Sequence, residues 1–242
     1  MNKKEIFEIA KRERPEVKII KKIDWFRHDI VKELVDQKNI GIELGTAKGI
    51  YSKRMLESSK FKKFYAVDSY LDTYTDQDYI NTLKFLEFKS SNFCLIRSDF
   101  DSALNLFEDN YFDFIYIDGY AHTGEEGGKT IIEWYKKLKP GGILAGDDYH
   151  DDWPLVIWAV NNLVKQLNIS LNVTGKLENK NYSKYPTWYI KKPTNNVNVK
   201  INQKLFSVAM KEKDRINKKR TGTIGKIKRF LSNILQIFRV IR

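Results

Sequence analysis

Cysteine is nearly missing from these 242 residues, with Cys94 standing alone. A lone thiol closes no intrachain disulfide and builds no cysteine-based zinc cluster. No apolar run approaches the roughly 18 residues that a membrane-spanning helix needs. The opening stretch, MNKKEIFEIAKRERPE, lacks the apolar centre of a secretory signal. These absences make a cytoplasmic protein the expectation. What is present suffices for a core: 42% of residues are hydrophobic and 13% aromatic. The length fits one α/β domain with extensions.

The net charge of +12 is distributed unevenly. Residues 194–242 carry thirteen Lys and Arg against two acids, Glu212 and Asp214, so this segment holds nearly all of the excess. The body is close to neutral, which argues against a catalytic surface built to grip a long nucleic acid.

Three segments follow: 1–37, 38–193 and 194–242. The first is charged, with Ile23, Phe26, Ile30, Val31 and Leu34 at helical spacing, so an N-terminal helical extension is expected. Strand and helix patterns then alternate. Strands are expected at 39–44, 63–68, 93–97, 112–118, 141–147, 169–174 and 187–192. Helices are expected at 50–59, 76–88, 130–138 and 154–167. Such alternation means a Rossmann-like α/β fold, a seven-stranded and mostly parallel sheet with helices on both faces. Ligands of these sheets bind beyond the carboxyl ends of the strands.

The first of these strands ends in ELGTAKG, residues 43–49. Glycines at 45 and 49 let the backbone approach a ligand, and Glu43 stands where a dinucleotide fingerprint has its first glycine. An acid there suits a cationic or hydroxyl-bearing group. Asp68 ends the next strand, where a carboxylate can accept both hydroxyls of a ribose. Ser98, Asp99 and Phe100 follow the third strand and could meet the edge and face of an adenine, or simply cap a loop.

Together IELGTAKG, YAVDSY, SDF, FDFIYIDG and LKPGGILAGDD resemble class I S-adenosylmethionine-dependent methyltransferases, over about residues 38–192. The resemblance implies S-adenosyl-L-methionine as cofactor. It places Glu43, Gly45, Thr46 and Gly49 against the methionine part and Asp68 and Ser69 at the ribose. Ser98, Asp99 and Phe100 fall at the adenine, with Asp118 also beside the cofactor. In this fold the strands ending at Asp118 and at Asp147–Asp148 are neighbours, so three carboxylates meet. That suits Mg2+ or another hard divalent cation. The pattern looks like the metal-dependent branch that includes catechol and macrocin-type sugar O-methyltransferases, whose metal acids match Asp118, Asp147 and Asp148. A metal would lower the pKa of an acceptor hydroxyl. His122 is then the first candidate for general base, with Asp118 the alternative. The family's tighter IDG-x-H spacing is loosened here to IDGYAH. His150 and the second aspartate pair, Asp151–Asp152, read as a loop or helix entry, and Tyr120 and Trp153 as pocket lining or packing.

In the last segment Ile227, Phe230, Ile234, Phe238 and Ile241 form one helical stripe among basic residues. Residues 223–242 therefore read as a basic amphipathic helix behind a polar linker at 192–204, a membrane-surface anchor or a partner-binding helix, with packing on the body as a rival. The expected partners are a small-molecule or glycan acceptor, the inner face of a membrane and, conceivably, a second copy of the chain. A role in surface polysaccharide synthesis fits them. Base methylation is disfavoured, because no proline follows the strand ending at Asp118. The rivals are an RNA methyltransferase gripping through the tail and a non-catalytic, membrane-associated scaffold.

Overall fold

The structure, a computed structural model, describes residues 1–71, 74–87, 90–178, 183–195 and 197–221. Eight strands form one sheet: β1 (Ile19–Lys22), β2 (Asn39–Leu44), β3 (Phe61–Asp68), β4 (Phe93–Arg97), β5 (Phe112–Ile117), β6 (Leu138–Gly146), β7 (Leu171–Thr174) and β8 (Trp188–Lys191). Their order is β1-β7-β8-β6-β5-β2-β3-β4. Only β8 runs antiparallel to its neighbours, β6 and β7. The helices are α1 (Lys3–Glu13), α2 (Ile50–Glu57), α3 (Asp76–Phe85), α4 (Phe100–Leu104), the single turn α5 (Gly124–Gly127), α6 (Lys129–Lys137), α7 (Pro154–Leu167) and α8 (Gln203–Thr221).

The sheet is buried on both faces because its central strands are predominantly apolar. Along β5, Ile115 and Ile117 enter one core with residues of α1, α4, α6, α7 and α8. Phe114 and Tyr116 alternate into the other, with Ile30, Val31, Tyr51 and Met55. Period-two alternation on a central strand thus feeds two layers at once. Pro154 opens α7 in the first turn, where no N–H partner is lost.

Two expectations for the termini are corrected. The N-terminal segment is not wholly helical and is not outside the sheet. Its residues 19–22 become β1, an eighth strand paired in parallel with β7. The apolar stripe beyond it folds as a 3-10 helix, Arg27–Glu33, whose Asp29 carboxylate accepts from the Phe26 N–H at 2.8 Å. Backbone pairing at an open sheet edge overrides helical spacing here. The polar linker is seated rather than free. The Lys200 N–H donates to Gln166 at 2.8 Å, and Val199 is buried. Next to it α8 packs on the body through Leu205, Val208 and Ala209. The amphipathic stripe at 223–242 lies outside the described residues.

Candidate active site

The sheet's order reverses between β2 and β5, and the cavities open at the carboxyl ends of these strands and their neighbours. The turn after β2 is built by backbone geometry. Gly45 sits at φ +94°, and a Cβ there would overlap the Asp118 carbonyl oxygen. The β2 and β5 ends therefore touch only because residue 45 is glycine. The Gly45 N–H donates to Val67 O at 2.8 Å, and the Thr46 hydroxyl to the same oxygen at 3.3 Å. Gly49 takes φ +76° at the head of α2.

Asp68 braces this turn. Its Oδ2 accepts from the Ala47 N–H and its Oδ1 from the Tyr70 N–H, each at 2.9 Å. Each oxygen retains a lone pair for a ligand hydroxyl. Glu43 lies beneath, 2% exposed, and accepts from the Ser52 hydroxyl. Burial pushes its carboxyl up to about 8.

Two cavities adjoin. The first, about 350 Å³, is lined by Glu43, Gly45, Thr46, Asp118, Asp147 and Asp148 among others, with Lys184 and Tyr185 on its wall. The second, about 550 Å³, is lined by Ser69, Tyr70, Phe100, Tyr120 and His122, and by α8 residues including Lys213 and Asn217. Gly45, Asp68, Tyr74 and Asp118 border both. The predicted cofactor residues thus largely gather, with three exceptions. Gly49, Ser98 and Asp99 border neither cavity. Asp99 caps α4 instead, its carboxylate accepting from the Ser102 N–H and hydroxyl at 2.8 Å each. Those hydrogen bonds hold its carboxyl below the usual range.

The three expected metal acids do converge, but not as a metal shell. Arg27, from the 3-10 helix, lies between two of them and is only 3% exposed. Its Nη2 donates to Asp118 Oδ2 at 2.9 Å and its Nη1 to Asp147 Oδ2 at 3.0 Å. The guanidinium also lies over the rings of Tyr51, at 4.7 Å, and Tyr116, at 5.1 Å. The other Asp147 oxygen accepts from the Thr187 hydroxyl at 3.1 Å. Both Asp147 oxygens are therefore engaged. A divalent ion on this pair would have to expel a buried guanidinium, which costs several kcal/mol. No metal-ligating cluster of three His, Cys, Asp or Glu residues forms among the described residues. The expectation of Asp118, Asp147 and Asp148 as ligands of Mg2+ is corrected on this ground: the donor set does not fit.

Asp148 behaves differently from its neighbour. It takes φ +63°, a left-handed conformation that is uncommon outside glycine. Burial, then the charges of Asp147 and Asp118, push its carboxyl up to about 8, with Arg27 and Lys184 pulling the other way. Burial also raises Asp147, and Arg27 opposes it. His122 lines the second cavity only, edge-on to Trp153 at 4.7 Å between ring centroids. Burial lowers its pKa. The second aspartate pair is a structural loop, as expected. Asp151 pairs with Arg14 at 2.7 Å, and Asp152 accepts from the Tyr185 hydroxyl at 2.6 Å.

Sequence reasoning missed one site residue and one buried acid that borders neither cavity. Arg27 falls three, four and seven positions before Ile30, Val31 and Leu34, on the apolar stripe. A charge on a buried stripe demands a buried partner, and that signal was readable. Glu125 is fully buried on α5 with a left-handed backbone, φ +51°. Burial and then the charges of Asp148 and Asp118 push its carboxyl up. The two adjacent acids of GEEGG gave no hint of burial.

Residues 42–149 match the family model described as a methyltransferase domain. The match makes this stretch a methyltransferase domain. Among solved structures, the chain is similar to the spermidine synthase of Thermotoga maritima. They share 15% identity and a TM-score of 0.52, over 75% of this chain and 69% of that one. The N-methyltransferase NodS of Bradyrhizobium japonicum matches at 16% identity and a TM-score of 0.49, over 69% and 94% of the two chains. A Haloferax volcanii methyltransferase solved with its Trm112 activator matches at 18% identity and a TM-score of 0.39, over 49% of this chain. The match spans 50% of that chain's length. No curated protein matches the chain.

Proposed function

We propose that the protein is an O-methyltransferase that uses S-adenosylmethionine on a hydroxyl of a sugar, glycan or similar polyhydroxylated small molecule. The observation that carries this reading is the acid-walled first cavity, which opens directly onto the Gly45 turn. When bound, the cofactor supplies a methyl group on a positively charged sulfur and departs as a neutral thioether. Asp68 takes the ribose hydroxyls. Tyr70, Phe100 and Tyr120 surround the adenine in the second cavity. Glu43 and Asp118 face the cationic methionine end, which the neighbouring carboxylates favour electrostatically.

A hydroxyl acceptor must lose a proton as its oxygen gains the methyl group. Asp148 is the base in this reading, in place of His122. It lines the same cavity as Gly45 and Glu43, and its raised pKa matches the work of a base near neutral pH. Tyr74, Tyr185 and Lys184 give the acceptor wall aromatic faces and hydrogen-bonding tips, a combination suited to the apolar faces and hydroxyl edges of a sugar. Alignment of oxygen and methyl group then supplies much of the rate enhancement.

The basic stripe at 223–242 supports a membrane-proximal acceptor such as a lipid-linked glycan, and with it a place at the inner face of the membrane. The deciding experiment incubates the protein with methyl-labelled S-adenosylmethionine and a panel of sugar nucleotides, glycans and RNA. Label appearing as an acid-stable methyl ether on a carbohydrate is expected. Transfer to RNA alone, or cofactor binding without turnover on any acceptor, would remove this reading.

A further inference from the structure

We propose that Arg27 takes the place of a divalent cation at the acceptor side of this site, and that methyl transfer here proceeds with no metal ion. The substrate part of this inference rests on the O-methyl reading above; the cation part rests on geometry alone.

Three carboxylates, those of Asp118, Asp147 and Asp148, meet at the ends of β5 and β6. Left to themselves they repel, and such a cluster ordinarily recruits a cation. Here the chain provides one. The guanidinium presents one nitrogen to Asp118 and a second to Asp147, at 2.9 and 3.0 Å. It also lies against the rings of Tyr51 and Tyr116, which themselves stack at 4.0 Å between centroids. Behind Asp147, Thr187 and Tyr116 continue the chain of contacts, with their hydroxyls 3.2 Å apart. The planar fork suits two carboxylates at once, which a lysine ammonium does not.

The consequence is a fixed positive charge where a bound ion would be exchangeable. Arg27 is a positioning residue: it orients Asp118 and Asp147 and tempers the negative field around the acceptor oxygen. It leaves Asp148 as the carboxylate of the three with no side-chain hydrogen bond among the described residues. Because the charge arrives on the N-terminal segment, the catalytic centre is complete only once residues 19–22 have joined the sheet and the 3-10 helix at 27–33 has packed against it.

The test measures binding of Mn2+ to the full chain by electron paramagnetic resonance, without acceptor. Wild-type protein is expected to show no site at Mn2+ concentrations up to about 1 mM, the weak end of oxygen-ligand sites. Arg27→Met unmasks the carboxylates and is expected to bind Mn2+ at least about tenfold more tightly. Adding Asp147→Asn to that variant removes the gain. Arg27→Lys, which keeps a charge, gains nothing. Labelled methyl transfer by wild type is expected to be equal with and without chelator. A wild-type Mn2+ site that Asp147→Asn abolishes would overturn the inference, and so would transfer that stops on chelation. An Arg27→Met variant that stays folded and binds no Mn2+ would overturn it as well. If Arg27→Met does not fold, the wild-type titration decides alone. Failure of the O-methyl reading is separately visible, as an absence of carbohydrate product with the Mn2+ results unchanged.

Discussion

Asp147 and Asp148 are sequence neighbours with opposite assignments. The first spends both oxygens on Arg27 and Thr187. The second is turned by its left-handed backbone into the mouth of the same cavity. Asp148→Asn is therefore expected to lower kcat by about 10²- to 10⁴-fold, the usual worth of a positioned base. Cofactor affinity should change little. With Asp148 pushed up to about 8, the rate of the wild type should rise with pH and level off near that value. Stopped-flow or discontinuous assays from pH 6 to 9 check this. A flat profile would assign the base elsewhere. Asp99, by contrast, shows how a motif residue can be spent on helix capping, because a short acceptor just before a helix satisfies its free N–H groups wherever it occurs.

At the scale of elements, the C-terminal segment divides in two. α8 is part of the body. Glu13 reaches Lys204, and Glu126 accepts from Lys213 at 2.7 Å. Gly127 lets the helix approach, since a Cβ there would meet the Phe206 backbone at 2.7 Å. Removal of residues 222–242 should leave thermal stability and cofactor affinity unchanged and abolish binding to anionic vesicles. Removal of residues 203–242 should expose Leu205, Val208 and Ala209, lower the melting temperature and weaken cofactor binding, because α8 walls the second cavity. Vesicle co-sedimentation and calorimetry on the two truncations separate the roles. Retained vesicle binding by the shorter truncation would remove the anchor.

For the whole molecule, the concentration of buried acid at one end of the sheet sets a pH dependence. Glu43 and Asp148 have folded-state values of about 8, above those of the unfolded chain. The folded state therefore binds more protons than the unfolded one between the two values. Stability is fully present below about pH 4 for these groups and is lost as pH rises through about 8, by up to about 1.4 kcal/mol per pH unit per group. Denaturant titrations of the ligand-free protein should show this fall up to about pH 8 and a levelling above it, and Glu43→Gln should flatten it. A cationic cofactor favours the ionised carboxylates, so it should bind more tightly as pH rises and release protons on binding. Calorimetry in buffers of different ionisation enthalpy would reveal that release, and identical observed heats in every buffer would refute it.

Much of this architecture was legible in local pattern. The strand at 39–44 and the helix at 154–167 fall where their apolar runs, Gly45 and Pro154 put them, since such signals act over a few residues. The convergence of Asp118 with Asp147 and Asp148 followed from strand order in a parallel sheet. The sequence by itself determined the elements, the acids at the strand ends and the Gly45 turn, because each depends on side-chain spacing and backbone freedom within one stretch of chain. Only the tertiary structure decided that Arg27 lies between two of those acids, 91 and 120 residues away, and that residues 19–22 extend the sheet. Partners that distant are chosen by which buried charge and which open strand edge the folded body presents, and no local pattern encodes that choice.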